Sequence, residues 1–345
     1  MKLLVTGGAG FIGSNFVRFM LGIDADVRIV NLDKLTYAGN LDNLREVETD
    51  PRYTFVRGDI ADASLIRDVL AGAGFDAVIN FAAETHVDRS IGSPSDFLRT
   101  DIFGTFCLLE AVRELRIPRY VQISTDEVYG TVLSGSSSET DPLSPSNPYS
   151  ASKSGGDLLV LSYFKTYRSP VLITRASNNY GPNQYPEKFV PLSITNVLDN
   201  QPIPLYGDGM QVRDWLYVED HCRAIRTVLL EGSEGEVYNI GGDQERPNLV
   251  IAELLLELLG KPRELIRRVA DRPGHDRRYS LDSSKIKALG WQPTVSLEEG
   301  MWRTVEWYRA NRWWWEKIKS GEFLRYYREQ YGRRLAESTA LEEER

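Results

Sequence analysis

The first thirteen residues constrain the fold of this chain more than any other stretch. An apolar run, Lys2-Leu-Leu-Val-Thr6, leads into a cluster of glycines and then into a helical pattern. Gly8, Gly10 and Gly13 match G-x-G-x-x-G, whose glycines permit a tight turn, close approach of backbone to a pyrophosphate and close packing of helix on strand. The first helical turn then directs its free N–H groups at the phosphates. The motif therefore predicts a dinucleotide-binding unit at the start of the chain.

An acidic residue in the next apolar run supports this interpretation. Val27-Arg-Ile-Val-Asn-Leu32 ends at Asp33, which follows Gly13 by about 20 residues, the distance at which an acid binds the ribose hydroxyls in such folds. Because a glycine cluster alone also occurs in ordinary turns, the prediction of a dinucleotide site depends on the acid and on the strand-to-helix context as well. Because a carboxylate would repel a 2′-phosphate, we expect the cofactor to be NAD rather than NADP.

Composition excludes several classes of protein. The 345 residues suffice for one or two domains, and the net charge of −8 argues against nucleic acid or an anionic membrane surface as partner. Two cysteines, Cys107 and Cys222, are too few for a disulfide framework or a structural zinc cluster. With three histidines and no His-Glu-x-x-His spacing, no metal site is expected. Neither a signal peptide nor an apolar run of membrane-spanning length is apparent, so we expect a cytoplasmic protein.

Strand and helix patterns alternate through the first half of the chain. This alternation predicts a Rossmann-type α/β fold, a doubly wound parallel sheet, with a smaller C-terminal substrate-binding lobe. We assign residues 1–175 to the NAD-binding domain, 176–330 to the lobe that binds the substrate, and 331–345 to a flexible tail. The predicted strands lie near 2–6, 27–32, 53–57, 76–81, 119–124 and 171–175, and the predicted helices near 11–22, 62–72, 94–116 and 149–167.

Two stretches carry candidate catalytic residues. Ser124-Thr125-Asp126-Glu127 follows the fifth predicted strand, and Tyr149 and Lys153 are spaced so that they share one face of a helix. An ammonium group beside a phenol lowers the pKa of the phenol, which makes tyrosine a feasible base near neutral pH. A surface Tyr-Lys pair is common, but its place after the fifth strand of a dinucleotide fold favours catalysis.

This combination resembles the extended short-chain dehydrogenase/reductase superfamily. Gly7-x-x-Gly10-x-x-Gly13 and Tyr149-x-x-x-Lys153 match its glycine spacing and catalytic pair. The superfamily alone leaves epimerase, reductase, decarboxylase and dehydratase activities open. Asp126 and Glu127 favour elimination, since an elimination needs an acid for the leaving hydroxyl and a base for the carbon-bound proton. An ordinary solvated acidic turn is the alternative for this pair.

Further blocks resemble the dTDP-glucose 4,6-dehydratase family in particular. They cover about residues 2–330 and include residues 31–40, 81–90, 177–182, 186–188, 212–221 and 271–279. The segment between Tyr129 and Pro148 is shorter than in the family's bacterial housekeeping members. Related enzymes of deoxysugar branches also have a short loop, so the loop leaves open which deoxysugar pathway follows. It does not change the reaction that the resemblance implies. Three alternatives remain: a UDP-glucuronate decarboxylase, a UDP-glucose dehydratase and a non-catalytic NAD-binding protein. The expected preference for a thymidine rather than a uridine nucleotide in the substrate rests on resemblance alone.

The resemblance implies a role for each catalytic residue. Tyr149 would deprotonate the 4-hydroxyl of dTDP-glucose while NAD takes the C4 hydride, and Thr125 would hydrogen-bond the 4-oxygen. Glu127 would remove the C5 proton, and Asp126, kept protonated by burial or by its acidic neighbour, would protonate the departing 6-hydroxyl. Lys153 would orient the cofactor ribose. Hydride return to C6 would give dTDP-4-keto-6-deoxyglucose and regenerate NAD.

The resemblance also implies the binding residues. Those expected to contact the cofactor are Gly7, Gly10, Phe11, Ile12, Gly13, Asp33, Lys34, Asp59, Ile60, Ala82, Ala83, Thr100, Tyr149, Lys153 and Asn179. Those expected to contact the nucleotide sugar are Thr85, Asn178, Lys188, Phe189, Pro204, Tyr206, Arg213, Asn248, Arg272 and His275. For Arg213 the alternative is a surface salt bridge with Asp214.

Two other features have simpler interpretations. Trp313-Trp-Trp315 is interpreted as aromatic packing of a C-terminal helix rather than as a ligand platform. His86 is interpreted as a structural hydrogen-bonding residue near the site. The family resemblance further implies that the helices near 94–116 and 149–167 pair with their copies in a homodimer.

Overall fold

The strands of the chain fall into a large sheet and two small ones. A computed structural model describes residues 1–72, 74–271, 274–332 and 335. Its strands are β1 Lys2–Thr6, β2 Arg28–Asp33, β3 Tyr53–Arg57, β4 Ala77–Asn80, β5 Tyr120–Thr125, β6 Val171–Ala176, β7 Asn178–Tyr180, β8 Ile203–Tyr206, β9 Val212–Tyr217, β10 Val237–Ile240, β11 Glu245–Pro247 and β12 Ile266–Val269.

The helices alternate with these strands in the first half of the chain. They are α1 Phe11–Ile23, α2 Ala63–Ala71, α3 Val87–Gly92, α4 Pro94–Phe97, α5 Thr105–Leu115, α6 Pro148–Tyr167, α7 Phe189–Leu198, α8 Val218–Glu231, α9 Asn248–Leu259, α10 Ser284–Lys287, α11 Leu297–Ala310, α12 Arg312–Ile318 and α13 Gly321–Tyr327. Short 3₁₀ turns occur at Leu41–Leu44, Asp126–Tyr129 and Arg263–Leu265, and π-helical turns at Leu98–Gly104 and Arg328–Gly332.

The large sheet confirms the predicted fold class. Its seven strands are ordered β10-β6-β5-β4-β1-β2-β3, and every pairing is parallel. Helices α1 and α8 cover one face, and α2, α5 and α6 cover the other, which buries β4 and β6 along their whole length. Because the strands are parallel, their carboxyl ends meet at one edge, where an open α/β sheet binds its ligands.

The second lobe has its own core but is not cleanly separated in sequence. Sheets β11-β9-β7 and β12-β8 pack with α7, α9 and α11 around buried aromatic residues. The predicted boundary after residue 175 does not divide the packing, because α8 and the seventh strand, β10, return to the first lobe. Sequence pattern missed β10 as a sheet strand because its four residues follow the loosely patterned stretch after residue 176.

The helix predicted near 94–116 is divided into three parts. Pro94 begins α4, the chain continues through the π-helical turn Leu98–Gly104, and α5 completes the element. The turn packs closely on α6, since a Cβ on Gly156 would lie 2.8 Å from the Asp101 carbonyl oxygen. This contact places Asp101 beside the start of α6.

The predicted flexible tail, residues 331–345, falls mostly outside the described residues. Of its described members, Tyr331 is buried against Tyr206 of the second lobe. Within the described ranges, no helix is both long enough and apolar enough to span a membrane.

Candidate active site

The turn between β1 and α1 forms a cradle for a phosphate group. Gly7 has a φ of +68°, and a Cβ there would lie 2.6 Å from the backbone nitrogen of Ala82. A Cβ on Gly13 would collide with the Gly7 carbonyl oxygen, so helix and turn touch backbone to backbone. Gly10, which has no side chain to cap α1, leaves the helix N-terminus accessible to an anion. Gly7, Gly10 and Gly13 line a large cleft at this edge of the sheet.

The acidic residue at the end of β2 ties this turn to the strand. One Asp33 carboxylate oxygen accepts a hydrogen bond from the Ala9 N–H at 2.9 Å, and the other accepts one from the Leu35 N–H at 2.8 Å. Asp33 also lines the cleft, beside Lys34, whose ammonium lies 2.8 Å from the carboxylate of Asp59. Asp33 thus fixes the phosphate turn and borders the position expected for a ribose.

Most residues predicted to contact the cofactor line this first cleft. Its volume is about 1200 Å³, including the open space at its mouth. The lining includes Gly7, Gly10, Phe11, Ile12, Gly13, Asp33, Lys34, Asp59, Ile60, Ala82, Ala83, Thr100, Tyr149 and Lys153. Asn179 lines a second, adjoining cleft instead, and Thr85, predicted to contact substrate, lines the first.

Helix α6 carries the Tyr-Lys pair into the first cleft. Its start is well determined, since Asn147 and Ser150 form a capping box and Pro148 occupies the first helical position. Tyr149 and Lys153 follow on one helical face. The Lys153 ammonium is buried and donates a hydrogen bond to the Ile123 carbonyl of β5 at 2.8 Å.

The pKa of the tyrosine departs from the expectation based on sequence. Lys153 was expected to lower the pKa of the Tyr149 phenol. Instead, burial raises that pKa well above 10, the charges of Glu127 and Asp101 raise it further, and a hydrogen bond with Thr125 lowers it. Burial is the largest cause, and the acidic side chains that add to it come from segments distant from α6 in sequence.

The carboxyl end of β5 presents three polar residues in one tight turn. The Thr125 hydroxyl accepts a hydrogen bond from the Glu127 N–H at 3.3 Å and donates one to the Asp126 carboxylate at 3.2 Å. Asp126 is 3% exposed, so its burial raises the pKa of its carboxyl well above the usual range, and the charge of Glu127 adds to the effect. This is the direction expected from sequence, and it yields a neutral acid next to a second carboxyl group.

The second cleft contains Glu127 and most of the residues predicted to contact substrate. Those lining it are Asn178, Lys188, Phe189, Pro204, Tyr206, Arg213, Asn248 and His275. Arg272 lies outside the described residues. Gln184 and Lys188 line both clefts, so the two clefts are continuous. The end of β5 and the turn after it border both of them, with Ser124 lining the first cleft and Glu127 the second.

Arg213 is held inside the second lobe. Its guanidinium donates to the carbonyls of Val212 and Asp276 at 2.8 and 2.9 Å and lies 4.2 Å from the centre of the Tyr279 ring. Among the described residues it forms no ion pair with Asp214, whose carboxylate accepts N–H groups of the chain after β10. The surface salt bridge considered from sequence is therefore wrong, and the cation borders the cleft.

The three histidines have separate structural surroundings. His221 is fully buried, its Nδ1 lies 2.9 Å from the Asn179 side-chain oxygen, and burial lowers its pKa to about 3, so it is neutral and orients Asn179. His86 lies 3.3 Å from the Tyr326 hydroxyl, and His275 lies 2.6 Å from the Asp271 carboxylate. Over the described part of the chain, no group of three or more His, Cys, Asp or Glu residues is arranged to bind a metal.

Comparison with known proteins decides the family. The family model described as GDP-mannose 4,6 dehydratase matches residues 4–304. The chain is 54% identical over 325 residues to a dTDP-glucose 4,6-dehydratase of Streptomyces niveus, covering 93% of this chain and 96% of the relative. A relative of that name from Xanthomonas campestris pv. campestris is 50% identical over 340 residues, covering 93% of this chain and 96% of the relative.

A solved structure agrees with these relatives. DesIV of Streptomyces venezuelae, a dTDP-glucose 4,6-dehydratase crystallised with NAD and TYD bound, superposes with a TM-score of 0.90 at 52% identity, covering 92% of this chain and all of that one. This chain belongs to the dTDP-glucose 4,6-dehydratase family.

Two acids that sequence reasoning missed belong to the surroundings of the site in this dTDP-glucose 4,6-dehydratase family member: Glu187 lines the second cleft, and the charge of Asp101 acts on Tyr149. Asp101 is buried, and its carboxylate accepts hydrogen bonds from the Ser152 hydroxyl at 2.6 Å and the Glu84 N–H at 3.2 Å. Glu187 is buried beside Arg89 in the second cleft. Both acids lie within helical or loop patterns that look unexceptional in sequence, and only their burial distinguishes them.

The tryptophan run packs in the core of this family member, as predicted. Trp314 and Trp315 are each 1% exposed, and their indole N–H groups donate to the Asn43 side chain and the Tyr308 carbonyl at 2.8 and 2.9 Å. Trp313 is 46% exposed and lies outside that core.

Proposed function

We propose that this chain dehydrates dTDP-glucose to dTDP-4-keto-6-deoxyglucose, as a hydro-lyase that uses NAD and regenerates it in each cycle. One observation carries the proposal beyond family membership. Glu127 lines the second cleft, and beside it in the same turn lies Asp126, a buried acid whose pKa is raised well above its usual range. An epimerase or a simple reductase has no step that requires both.

The first cleft fits NAD. The tight turn that Gly7 and Gly13 permit suits the pyrophosphate, and Asp33 suits the adenosine ribose. When bound there, NAD would supply the hydride acceptor for C4 of the hexose and the hydride donor for C6.

The proton transfers belong to this chain's own residues. Tyr149 removes the proton of the 4-hydroxyl, and Thr125 holds the 4-oxygen by a hydrogen bond. The resulting 4-ketone acidifies the C5 proton, which Glu127 removes and then returns to C5 when C6 is reduced. Asp126 donates its proton to the 6-hydroxyl, which leaves as water, and Lys153, fixed on β5, orients the ribose beside Tyr149.

The second cleft suits a nucleotide sugar. Arg213 supplies a planar cation for phosphate oxygens, and Tyr206 supplies an aromatic surface for the base. The side-chain oxygens of Asn178, Asn248 and Gln184 are buried and have no hydrogen-bond partner among the described residues. Buried acceptors of this kind are satisfied when a ligand brings hydroxyl or N–H groups.

The predicted homodimer has a suitable surface. Exposed apolar side chains cluster on the π-helical turn, α5 and α6, the elements predicted to pair with their copies; these are Leu98, Phe103, Phe106 and Leu158, exposed by 53, 48, 39 and 58%. Burial against a second copy would remove this apolar surface from water. The cytoplasmic location stays a prediction.

The test follows the hydride. Purified protein is incubated, without added NAD, with dTDP-glucose deuterated at C4 and, separately, with the corresponding UDP-glucose and with UDP-glucuronate. Loss of water by mass spectrometry and deuterium in the new C6 methyl group are expected with dTDP-glucose. A product without deuterium at C6, loss of carbon dioxide from a glucuronate substrate, or preference for UDP-glucose would overturn the proposed reaction or its substrate.

A further inference from the structure

The C-terminal aromatic segment, residues 321–332, packs on the wall of the second cleft. It comprises α13 and the π-helical turn after it, and it follows residues 4–304, the part matched by the family model. Phe323 and Tyr331 are 2 and 5% exposed and form a buried cluster with Leu192 of α7. Such burial indicates that the segment is part of the lobe rather than an appendage.

Tyr331 reaches the cleft itself and contacts Tyr206. It lines the second cleft, and its ring centre lies 5.9 Å from that of Tyr206 and 5.1 Å from that of Tyr327. The adjacent Gln330 side-chain amide donates a hydrogen bond to the Tyr206 hydroxyl at 3.0 Å. Tyr206 is therefore held by the C-terminal aromatic segment through both its ring and its hydroxyl.

A second set of contacts ties the segment to the far wall of the cleft. The Arg89 guanidinium lies 4.5 Å from the centre of the Tyr326 ring and 3.6 Å from that of Tyr37. Its Nε donates to the buried carboxylate of Glu187 at 2.9 Å. The segment thus joins α3 and the second lobe across the end of the cleft that contains Tyr206.

We propose that the C-terminal aromatic segment sets the affinity for the nucleotide part of a pyrimidine nucleoside diphosphate sugar, with Tyr331 and Gln330 as positioning residues that hold Tyr206. The inference rests on the proposed function, in which Tyr206 contacts the base. The two rings are tilted by 37° at 5.9 Å, so a base does not fit between them. Tyr331 accordingly acts by orienting Tyr206, whose ring also contacts that of His275 at 5.8 Å in the same cleft.

The test separates binding from chemistry. In the full chain, Tyr331→Ala removes the ring, Tyr331→Phe keeps it, and Leu324→Ala, in α13 of the same segment, shortens an exposed side chain as a control. Calorimetry measures Kd for dTDP, and steady-state kinetics measure KM and kcat for dTDP-glucose. Tyr331→Ala should raise Kd and KM about tenfold, the typical worth of an aromatic contact, and change kcat less than about twofold.

The remaining variants define the outcomes. Leu324→Ala should bind dTDP as the unchanged chain does. Tyr331→Phe keeps the ring and loses only the hydrogen bond between its hydroxyl and Tyr206, so it should raise Kd less than Tyr331→Ala does. Gln330→Ala should raise Kd about threefold through loss of one hydrogen bond. An unchanged Kd in Tyr331→Ala, or an equal rise in Leu324→Ala, would overturn the inference. If Tyr331→Ala does not fold, an unchanged Kd in Gln330→Ala has the same consequence. Failure of the unchanged chain to dehydrate dTDP-glucose would instead refute the proposed function, whatever dTDP binding shows.

Discussion

At the scale of single residues, burial decides which carboxyl groups can do chemistry. Asp126 and Glu127 are neighbours on one turn, and the pKa of Asp126 is raised first because its side chain is buried and then because of the charge of Glu127. A neutral carboxyl group can donate a proton to a leaving hydroxyl, which an ionised one cannot. The raised pKa of Asp126 therefore follows from its surroundings rather than from its chemical identity, and it suits the acid role proposed for this residue.

Replacing this acid should stop elimination but spare oxidation. Asp126→Asn keeps the shape of the side chain and removes its proton, so turnover should fall at least about 100-fold, the contribution of a general acid. Mass spectrometry of quenched reactions should show the 4-ketoglucose nucleotide accumulating. Asp141→Asn, which changes an exposed carboxyl group in the following loop, serves as control. Undiminished turnover in Asp126→Asn would remove Asp126 from the mechanism.

Asp101 should make stability depend on pH. Burial raises the pKa of its carboxyl to about 6, and the charge of Lys153 and hydrogen bonds from Ser152 and Glu84 lower it only in part. A raised pKa favours the folded, protonated form at low pH, and that contribution is lost as pH rises through 6. Between pH 5 and 7.5 the loss is about 1.4 kcal/mol, since close to one pKa unit is crossed.

The Asn variant isolates this effect. Asp101→Asn cannot ionise, so its stability relative to the unchanged chain should rise by that amount from pH 5 to pH 7.5. Urea unfolding at both pH values measures the difference. A difference that does not vary with pH would show that the Asp101 carboxyl does not titrate in this range.

At the scale of elements, the glycine turn between β1 and α1 shows why spacing alone is informative. Gly7 adopts a positive φ and lies against the backbone of Ala82, while Gly13 lies against the turn. Neither position has room for a Cβ, so the turn can follow this path only with glycine. The same lack of side chains allows a phosphate to approach the backbone.

Adding one methyl group to this turn should abolish cofactor binding. Gly7→Ala forces a left-handed conformation and a clash with Ala82, which should cost at least about 1–2 kcal/mol and displace the turn. Gly22→Ala, in α1, has no described atom within 4 Å of the new Cβ and should stabilise the chain by about 0.5–1 kcal/mol. Calorimetric titration with NAD and thermal unfolding measure both effects. Normal NAD affinity in Gly7→Ala would contradict the assigned cradle.

At the scale of the whole molecule, the two clefts meet because the chain crosses between lobes. Strand β5 supplies the acid turn, α6 supplies Tyr149 and Lys153, and the segment after β7 supplies Gln184 and Lys188, which line both clefts. Later, α8 and β10 return to the large sheet and join the lobes through a common core. A ligand whose nucleotide end lies in the second cleft can therefore extend its hexose end to the first cleft.

The exposed apolar surface of α6 should determine the oligomeric state. Leu158→Glu places a charge in the proposed interface, so a homodimer should dissociate at concentrations where the unchanged chain remains paired. Leu133→Glu alters an exposed leucine in a distant loop and should leave the dimer intact. Sedimentation velocity measures both. A monomeric unchanged chain at micromolar concentration would refute the homodimer.

The sequence by itself determined the features that depend on local chemistry. The glycine turn, Asp33, the alternating parallel strands and the helical spacing of Tyr149 and Lys153 could all be predicted, because each follows from backbone sterics or a repeat of neighbouring residues. Tertiary structure alone decided what depends on residues far apart in the chain. It set the raised pKa of Tyr149, the burial of Asp101, the return of β10 to the sheet and the packing of Tyr331 on Tyr206. Solvation and long-range contacts are properties of the packed molecule, so no local pattern encodes them.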